Sequence, residues 1–417
     1  MARRRPRGPD GGGEAALASL WAGQRLPPEA LRTVEGEPLR VISPGRPNGG
    51  AGPDFRDAAV LLESGVLLQG DVEVHVRASD FRRHGHHRDP AYDGVVLHVV
   101  QRADEGPRTR GRGGRTVPVL ALPPWRPPAG GDGGTPAVWA PPCAGAVARL
   151  GPAAVGAVLE RLGEERLWRR AAALAPRAAA LGDAGALYAA LAEALGLGGD
   201  REGFARVARS VPLSWLWEQA AGLPPAQAVR LLDAALLGAG GLLREGDALY
   251  RAWRSLGAPG PREGLAPFRG RPANRPERRL LGLSRLLVRH GGPALPQRLA
   301  AAVLAGPRPL LHALTVRERG AALIGPGRAC ELAVNAVLPA LLAAAERDGR
   351  PDLRAAVLAA YAVLPSPGEY AALRPLTAVL RRPDGRTLVT GARRQQGALA
   401  LLHGECRRGR CGRCPLS

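Results

Sequence analysis

The chain has no lysine, so all 58 of its basic residues are arginine. Asparagine occurs three times and isoleucine twice. These three residue types have A/T-rich codons. Their scarcity, beside abundant Ala, Gly, Pro and Arg, marks a genome very rich in G+C and is not in itself a functional signal. Aromatics make up 4%, which leaves Leu, Val and Ala to build the core. Five cysteines, three of them crowded at the C-terminus, exclude a secreted disulfide framework. The longest apolar run, Leu332 to Ala345, is 14 residues and contains Asn335 and Pro339, short of the roughly 20 a membrane helix needs. The opening MARRRPRGPDGGGEAA has no apolar segment behind its basic residues, so it reads as a disordered tail and not a signal peptide. The expectation is a soluble, cytoplasmic chain with no membrane partner. Its oligomeric state is not legible.

What is present is positive charge. The net charge of +21 favours nucleic acid or another polyanion as partner, and the arginine fork suits phosphate better than lysine does. At 417 residues the chain calls for two or three domains. Residues 1–19 read as the basic tail and 20–122 as an α/β domain with a mixed sheet of about five strands. Its strands are expected at Leu39 to Ser43, Ala58 to Leu62, Val66 to Val76, Val95 to Val100 and Thr116 to Leu122. Helices are expected at Ala15 to Ala22, near Pro28 to Thr33, and from Ser79 to His87. Glu63-Ser64-Gly65 reads as a hairpin turn. Residues 123–142, rich in Pro and Gly, read as a linker. From 143 to 395 the period becomes helical, with Phe204, Val207, Ala208, Val211 and Trp215 on one face, and an all-α domain is expected. Residues 396–417 form a Cys-rich tail.

The chemistry is concentrated in one stretch. Five of the eight histidines fall between His75 and His98, in GDVEVHVRASDFRRHGHHRDPAYDGVVLHVV, with Asp54 in GPDF just ahead. Alternate residues of a strand share a face, so Asp71, Glu73 and His75 project together while Val72, Val74 and Val76 enter the core. Acids side by side repel unless a proton or cation intervenes. Asp54 precedes the paired strand and can reach the same spot. Oxygen ligands of this kind suit Mg²⁺ or Mn²⁺, and His75 would orient or deprotonate water. The alternative is an exposed polar face of a hairpin.

Pro53-Asp54, a gap of 18 residues, and Glu73-Val74-His75 resemble the PD-(D/E)xK nuclease signature. The resemblance implies a restriction-endonuclease-like fold in which Asp54 and Glu73 hold the metal. His75 stands where that motif carries lysine. In a second register Asp71 is the ligand and Glu73 replaces the lysine. A broader resemblance rests on LW-x-x-QRLPPEALRTVEGEPLRVISPGRPNGGAGPDF, the histidine stretch, RPANRPERRL and the terminal C-x4-C-x2-C. These landmarks resemble a bacterial family known as domain of unknown function 2851, which implies a chain of this length and no mechanism.

His84 and His87, three apart on one helical face, read with His86 as a second metal site, as phosphate contacts at the cleft rim, or as a surface helix. His98, among valines, reads as a core histidine, and Tyr92 as packing. Arg108, Arg110 and Arg112 decorate a loop that would grip phosphate or simply be solvated. Asn48 is expected near the cleft, Asn274 in a turn, and Asn335 in a buried hydrogen bond. Cys406, Cys411 and Cys414 give three thiolates at loop spacing. His403, Cys143 or Cys330 would complete a structural Zn²⁺ site or an iron–sulfur cluster. The leading expectation is thus a Mg²⁺- or Mn²⁺-dependent nuclease acting on DNA or RNA. The alternatives are a catalytically inactive nucleic-acid-binding scaffold and a His-ligated metallohydrolase.

Overall fold

A computed structural model of the chain describes residues 11–24, 31–48, 52–122, 142–197, 199–257, 264–265, 275–406 and 414–416. Expectations for residues 1–10, the linker 123–141, Asn274 and Cys411 lie outside these. Two compact units are present. One comprises Met1–Val158, Tyr370–Leu388 and Ala398–Ser417; the other comprises Leu159–Glu369 and Val389–Gly397.

The first unit is built on a mixed sheet of seven strands, not about five: β1 (Leu39–Ser43), β2 (Arg46–Pro47), β3 (Phe55–Leu62), β4 (Leu67–Arg77), β5 (Val95–Arg102), β6 (Arg108–Arg110) and β7 (Thr116–Ala121). Their order is β1-β3-β4-β5-β7-β6, with β2 also beside β3. β5 runs parallel to both β4 and β7, and the other pairs are antiparallel. The two additional strands are short, and β6 lies inside the Arg-rich segment expected to be loop.

One sheet face is apolar. Helix α1 (Gly11–Gly23) lays Leu17, Leu20 and Trp21 into a core with Val60, Val72, Val74, Leu97 and Val99. Trp21 is fully buried, and its indole Nε1 donates to the carbonyl of Pro44 at 3.0 Å. β5 reads as an almost continuous apolar run because it has a parallel neighbour on each side and is covered on both faces. The helix expected near Pro28 to Thr33 is not seen in its described part, where Arg32 and Thr33 bridge to Pro38 and Leu120 instead.

The opposite face carries the polar residues. Here the helix expected from Ser79 to His87 shrinks to α2 (Asp80–Arg83). Gly85, at φ +82°, ends it and starts a 3-10 turn over His86–Arg88; a second such turn spans Pro90–Tyr92. Glycine is suited to this left-handed position because it has no Cβ.

The second unit is mostly helical. Helix α3 (Ala146–Leu195) contains two left-handed glycines, Gly151 and Gly182. Arg177 pairs with Glu193, residues that a straight helix would hold about 24 Å apart, so the helix doubles back at Gly182. The expected face of Phe204, Val207, Ala208, Val211 and Trp215 is split between helices Arg201–Ser210 and Leu213–Gln219, because Pro212 interrupts it. The unit is not all-α: Val316–Glu318 pairs with Ala321–Ile324 across Arg319 and Gly320, both in the left-handed region, as a tight hairpin turn requires. Asn335 is buried, and its side-chain amide donates to the Glu331 carbonyl at 2.9 Å, within a π-helical turn Ala333–Val337. By length and composition Ala146–Leu195 and Pro326–Arg347 would each suffice to cross a membrane, but the second is mostly buried in protein.

Candidate functional site

Two bulges decide what the polar residues of β4 face. On β3, Phe55 pairs with Val72 but Ala58 pairs with Gly70, so one residue is extra. Asp57 takes a φ of +58° there and pairs with Arg46. The bulge turns the Arg56 guanidinium and the Asp57 amide onto Asp71. Arg56 Nη1 donates to Asp71 Oδ2 at 2.8 Å, and the Asp57 N–H donates to Oδ1 at 3.3 Å. Asp71 is therefore held by its own strand neighbours.

On β5, Val95 pairs with Asp71 but Leu97 pairs with Val72, leaving Val96 as the extra residue. Paired residues share a face, so this one-residue shift moves every later side chain of β5 across the sheet. Leu97 joins the apolar core, and His98 comes to lie opposite Glu73. Gly70 makes room for the bulge: a Cβ on it would meet Val96 Cγ1 at 2.5 Å and the Gly94 carbonyl oxygen at 2.4 Å.

Glu73, His75 and His98 are all buried, with His98 at 0% exposure. The Asp54 N–H donates to Glu73 Oε2 at 3.1 Å, and Asp54 Oδ2 accepts from the Val74 N–H at 3.0 Å. Asn48 holds this approach: its amide side chain donates to the Pro53 carbonyl at 2.8 Å, and its N–H donates to the Asp54 carbonyl at 2.7 Å. On its other oxygen, Glu73 Oε1 lies 3.5 Å from His75 Nε2 and 3.3 Å from His86 Nε2. His84 Nδ1 is 3.2 Å from the same His75 Nε2. Each of His75, His84 and His86 offers one nitrogen within 4.8 Å of the others.

Behind them runs a chain of hydrogen bonds. His75 Nδ1 is 2.9 Å from His98 Nε2, and His98 Nδ1 is 2.7 Å from Thr109 Oγ1. Phe81, buried on α2, meets the rings of His75, His86 and His98, and Tyr92 stacks on His86 with centroids 3.8 Å apart.

Burial sets the charge of these groups. Burial, and then the neighbouring Asp54 carboxylate, pushes the Glu73 carboxyl well above its ordinary value. Burial, and then the imidazoles of His98, His86 and His84, pushes His75 far down. Burial brings His98 down to about 3 and His86 to about 4, with neighbouring imidazoles adding to both. His75, His86 and His98 are therefore neutral imidazoles, the form that binds a metal. His75 turns Nε2 to the cluster while His98 holds its Nδ1, the arrangement that orients a ligating histidine.

The structure thus brings Asp54 to Glu73, and Glu73 to His75, His84 and His86, while directing Asp71 to Arg56. His84 and His87 do not share a helical face, because α2 ends before His84; His86, not His87, joins the cluster. Arg108 and Arg112 are engaged with Glu35 and Asp93 respectively. Arg110 lies with Arg108, Phe81, Arg82, Glu105 and Thr109 around a cleft of about 280 Å³. In the tail, Cys406 and Cys414 are half-buried and His403 is exposed. The Cys330 thiol belongs to the second unit and donates to the Pro365 carbonyl at 2.9 Å. Sequence reasoning missed Arg56, Asp57 and Thr109. The first two act through a bulge, and the third lies in a three-residue strand hidden in a basic segment.

Residues 14–304 match the model of a family described as a protein of unknown function, DUF2851. The chain belongs to this family. The matched stretch includes the whole sheet and the histidine cluster, and ends before the cysteine tail. No curated protein and no solved structure matches the chain.

Proposed function

We propose that the protein is a metal-dependent hydrolase of phosphodiester bonds, with a transition-metal ion held by His75, His84 and His86 and with Glu73 as the acid–base group beside it. One observation carries this reading. Three imidazoles converge at ligand spacing against a buried carboxyl group. The 3.2 Å between His84 Nδ1 and His75 Nε2 is close to the edge of a tetrahedron with metal–nitrogen bonds of 2.0–2.1 Å, about 3.3–3.4 Å. Nitrogen donors favour zinc, iron, nickel or copper over Mg²⁺ or Mn²⁺.

Three protein ligands leave a fourth position for water, as catalytic sites require. When bound, the ion lowers the pKa of that water. Glu73 Oε1, in reach of His75 and His86, is positioned to take the water's proton, and its raised pKa suits a group that later returns a proton to the leaving oxygen. Burial, and then the charge of the Asp54 carboxylate, keeps that pKa high, against the smaller opposing effect of the Asp54 N–H bond. His98 and Thr109 fix the His75 ring.

Phosphodiester chemistry is favoured by the net charge of +21, which draws polyanions. The nuclease resemblance of Asp54 and Glu73 points the same way, with histidine in place of the motif lysine. The test is metal analysis of the purified full chain, followed by chelation, reloading with Zn²⁺, Mn²⁺, Fe²⁺ or Mg²⁺, and assay on labelled single- and double-stranded DNA and RNA. One transition metal per chain is expected, lost in His84→Ala and His86→Ala, with cleavage lost in parallel. A protein that takes up no transition metal, or cleaves equally well after His84→Ala, would sink the assignment.

A further inference from the structure

A second concentration of arginine lies in the helical unit. Arg166, Arg170 and Arg177 sit on α3 at spacings of four and seven, which places them on one helical face. The reversal at Gly182 returns Glu193 to this face, and the next helix adds Arg201 near its start. Together they line a cleft of about 290 Å³ with four arginines against one carboxylate.

The guanidinium groups are anchored. Arg166 Nε donates to Gln396 Oε1 at 2.8 Å. Arg170 Nη1 donates to the Asn335 carbonyl at 2.8 Å, in the π-helical turn Ala333–Val337, a kind of turn often found at functional sites. Arg177 and Arg201 both hold Glu193, the latter at 2.8 Å. These two arginine side chains remain 45% and 60% exposed, so they face solvent while their orientation is fixed. Anchoring lowers the entropy lost when such long side chains bind a ligand.

We propose that this cleft binds the phosphodiester backbone of a nucleic acid strand. Arginine presents five donors in a planar fork that matches phosphate oxygens. Small and aliphatic residues line the cleft, among them Leu174, Ala190 and Ala194, and among the described residues no aromatic ring does. A base has nothing to stack on there, which is how single strands are usually held by their bases. The cleft therefore reads backbone charge and not sequence.

The test is fluorescence anisotropy with labelled 20-nucleotide single strands of two unrelated sequences. The full chain is used in chelator, so that binding is measured without turnover and independently of the histidine cluster. Equal affinity for the two sequences is expected, with log K falling linearly against log salt. Arg177→Gln with Arg201→Gln should reduce that slope by about 1.4 and weaken binding roughly 25-fold at 0.1 M salt, from about 0.7 per phosphate contact on a single strand. Arg177→Lys with Arg201→Lys should keep the slope, because charge is retained. An unchanged slope in the Gln pair overturns the proposal, as does equal loss in the Lys pair. Should the Gln pair fail to fold, Glu193→Gln tests the opposite sign: tighter binding supports the proposal, and unchanged or weaker binding defeats it. Displacement of the strand by micromolar inorganic phosphate or mononucleotide would assign the cleft to a small phosphate compound and overturn the backbone reading.

Discussion

His86 Nε2 lies 3.3 Å from Glu73 Oε1, although the two residues come from a 3-10 turn and a central strand. A neutral imidazole and a buried carboxyl at this distance share a proton or a cation. Glu73→Gln keeps the shape and removes the base. It should lower turnover about 10²–10⁴-fold while the chain still takes up its metal. In the metal-free protein it should raise the thermal midpoint at pH 8, because no carboxylate is then left buried. Loss of metal together with activity would make Glu73 a ligand instead.

Thr109→Val keeps the size of the side chain and removes the hydroxyl that partners His98. The orphaned imidazole nitrogen should cost about 1–3 kcal/mol of stability and weaken metal binding about 10–100-fold. Thr109→Ser should restore both. Isothermal titration with Zn²⁺ and denaturant unfolding measure the two effects. Unaltered metal affinity in the valine variant would detach the hydrogen-bond chain from the site.

Arg56→Met should destabilise the fold by about 1–3 kcal/mol by stranding the Asp71 carboxylate, with metal content unchanged. The double change Arg56→Met with Asp71→Asn should cost less than the sum of the two singles. Metal lost on Asp71→Asn would return Asp71 to the ligand set.

Gly70→Ala forces a Cβ against the Gly94 carbonyl and the Val96 side chain. Overpacking against backbone should cost about 2 kcal/mol or more. It should also disturb His98, which depends on the Val96 bulge for its place. Histidine ring resonances in NMR spectra would show this, and a spectrum identical to wild type would count against the bulge as the positioning element.

Stability of the metal-free protein should peak near pH 6.5. His75, His86 and His98 are held neutral when folded but protonate below about 6.5 when unfolded. Below that pH the unfolded state binds more protons, and stability falls by about 1.4 kcal/mol per pH unit for each histidine. Glu73 has the opposite sign. Its pKa when folded lies well above the ordinary 4.5, so its contribution is lost as pH rises above about 4.5. Three histidines outweigh one carboxyl between pH 4.5 and 6.5. Above 6.5 only the carboxyl's decline remains. His98→Phe should flatten the acid limb in denaturant titrations, and an unchanged limb would show that His98 is charged in the folded state.

The strands with β-branched runs, β1, β4 and β5, are readable from their residues because burial and pleat dictate them. β2 and β6 are not, since two or three residues form a strand only when a partner is already present. The shared face of Asp71, Glu73 and His75 follows from alternation alone. What they face does not, because one inserted residue on β3 and one on β5 set the neighbours, and Val96 does not differ in type from an ordinary strand residue. Gly85 signals a break after α2, yet only its left-handed turn makes His86 the partner of His75. Sequence reasoning missed the face of Arg166, Arg170 and Arg177, whose closure into a cleft depends on the reversal at Gly182.

The histidine nitrogens stand at ligand spacing on a sheet whose core is complete without them. Small metal domains fold only when their ion arrives. Here loading and emptying would leave the chain's architecture intact, so occupancy can follow the supply of free metal around the protein. On the proposed metal assignment, the emptied protein would keep its fold and regain its ion on resupply.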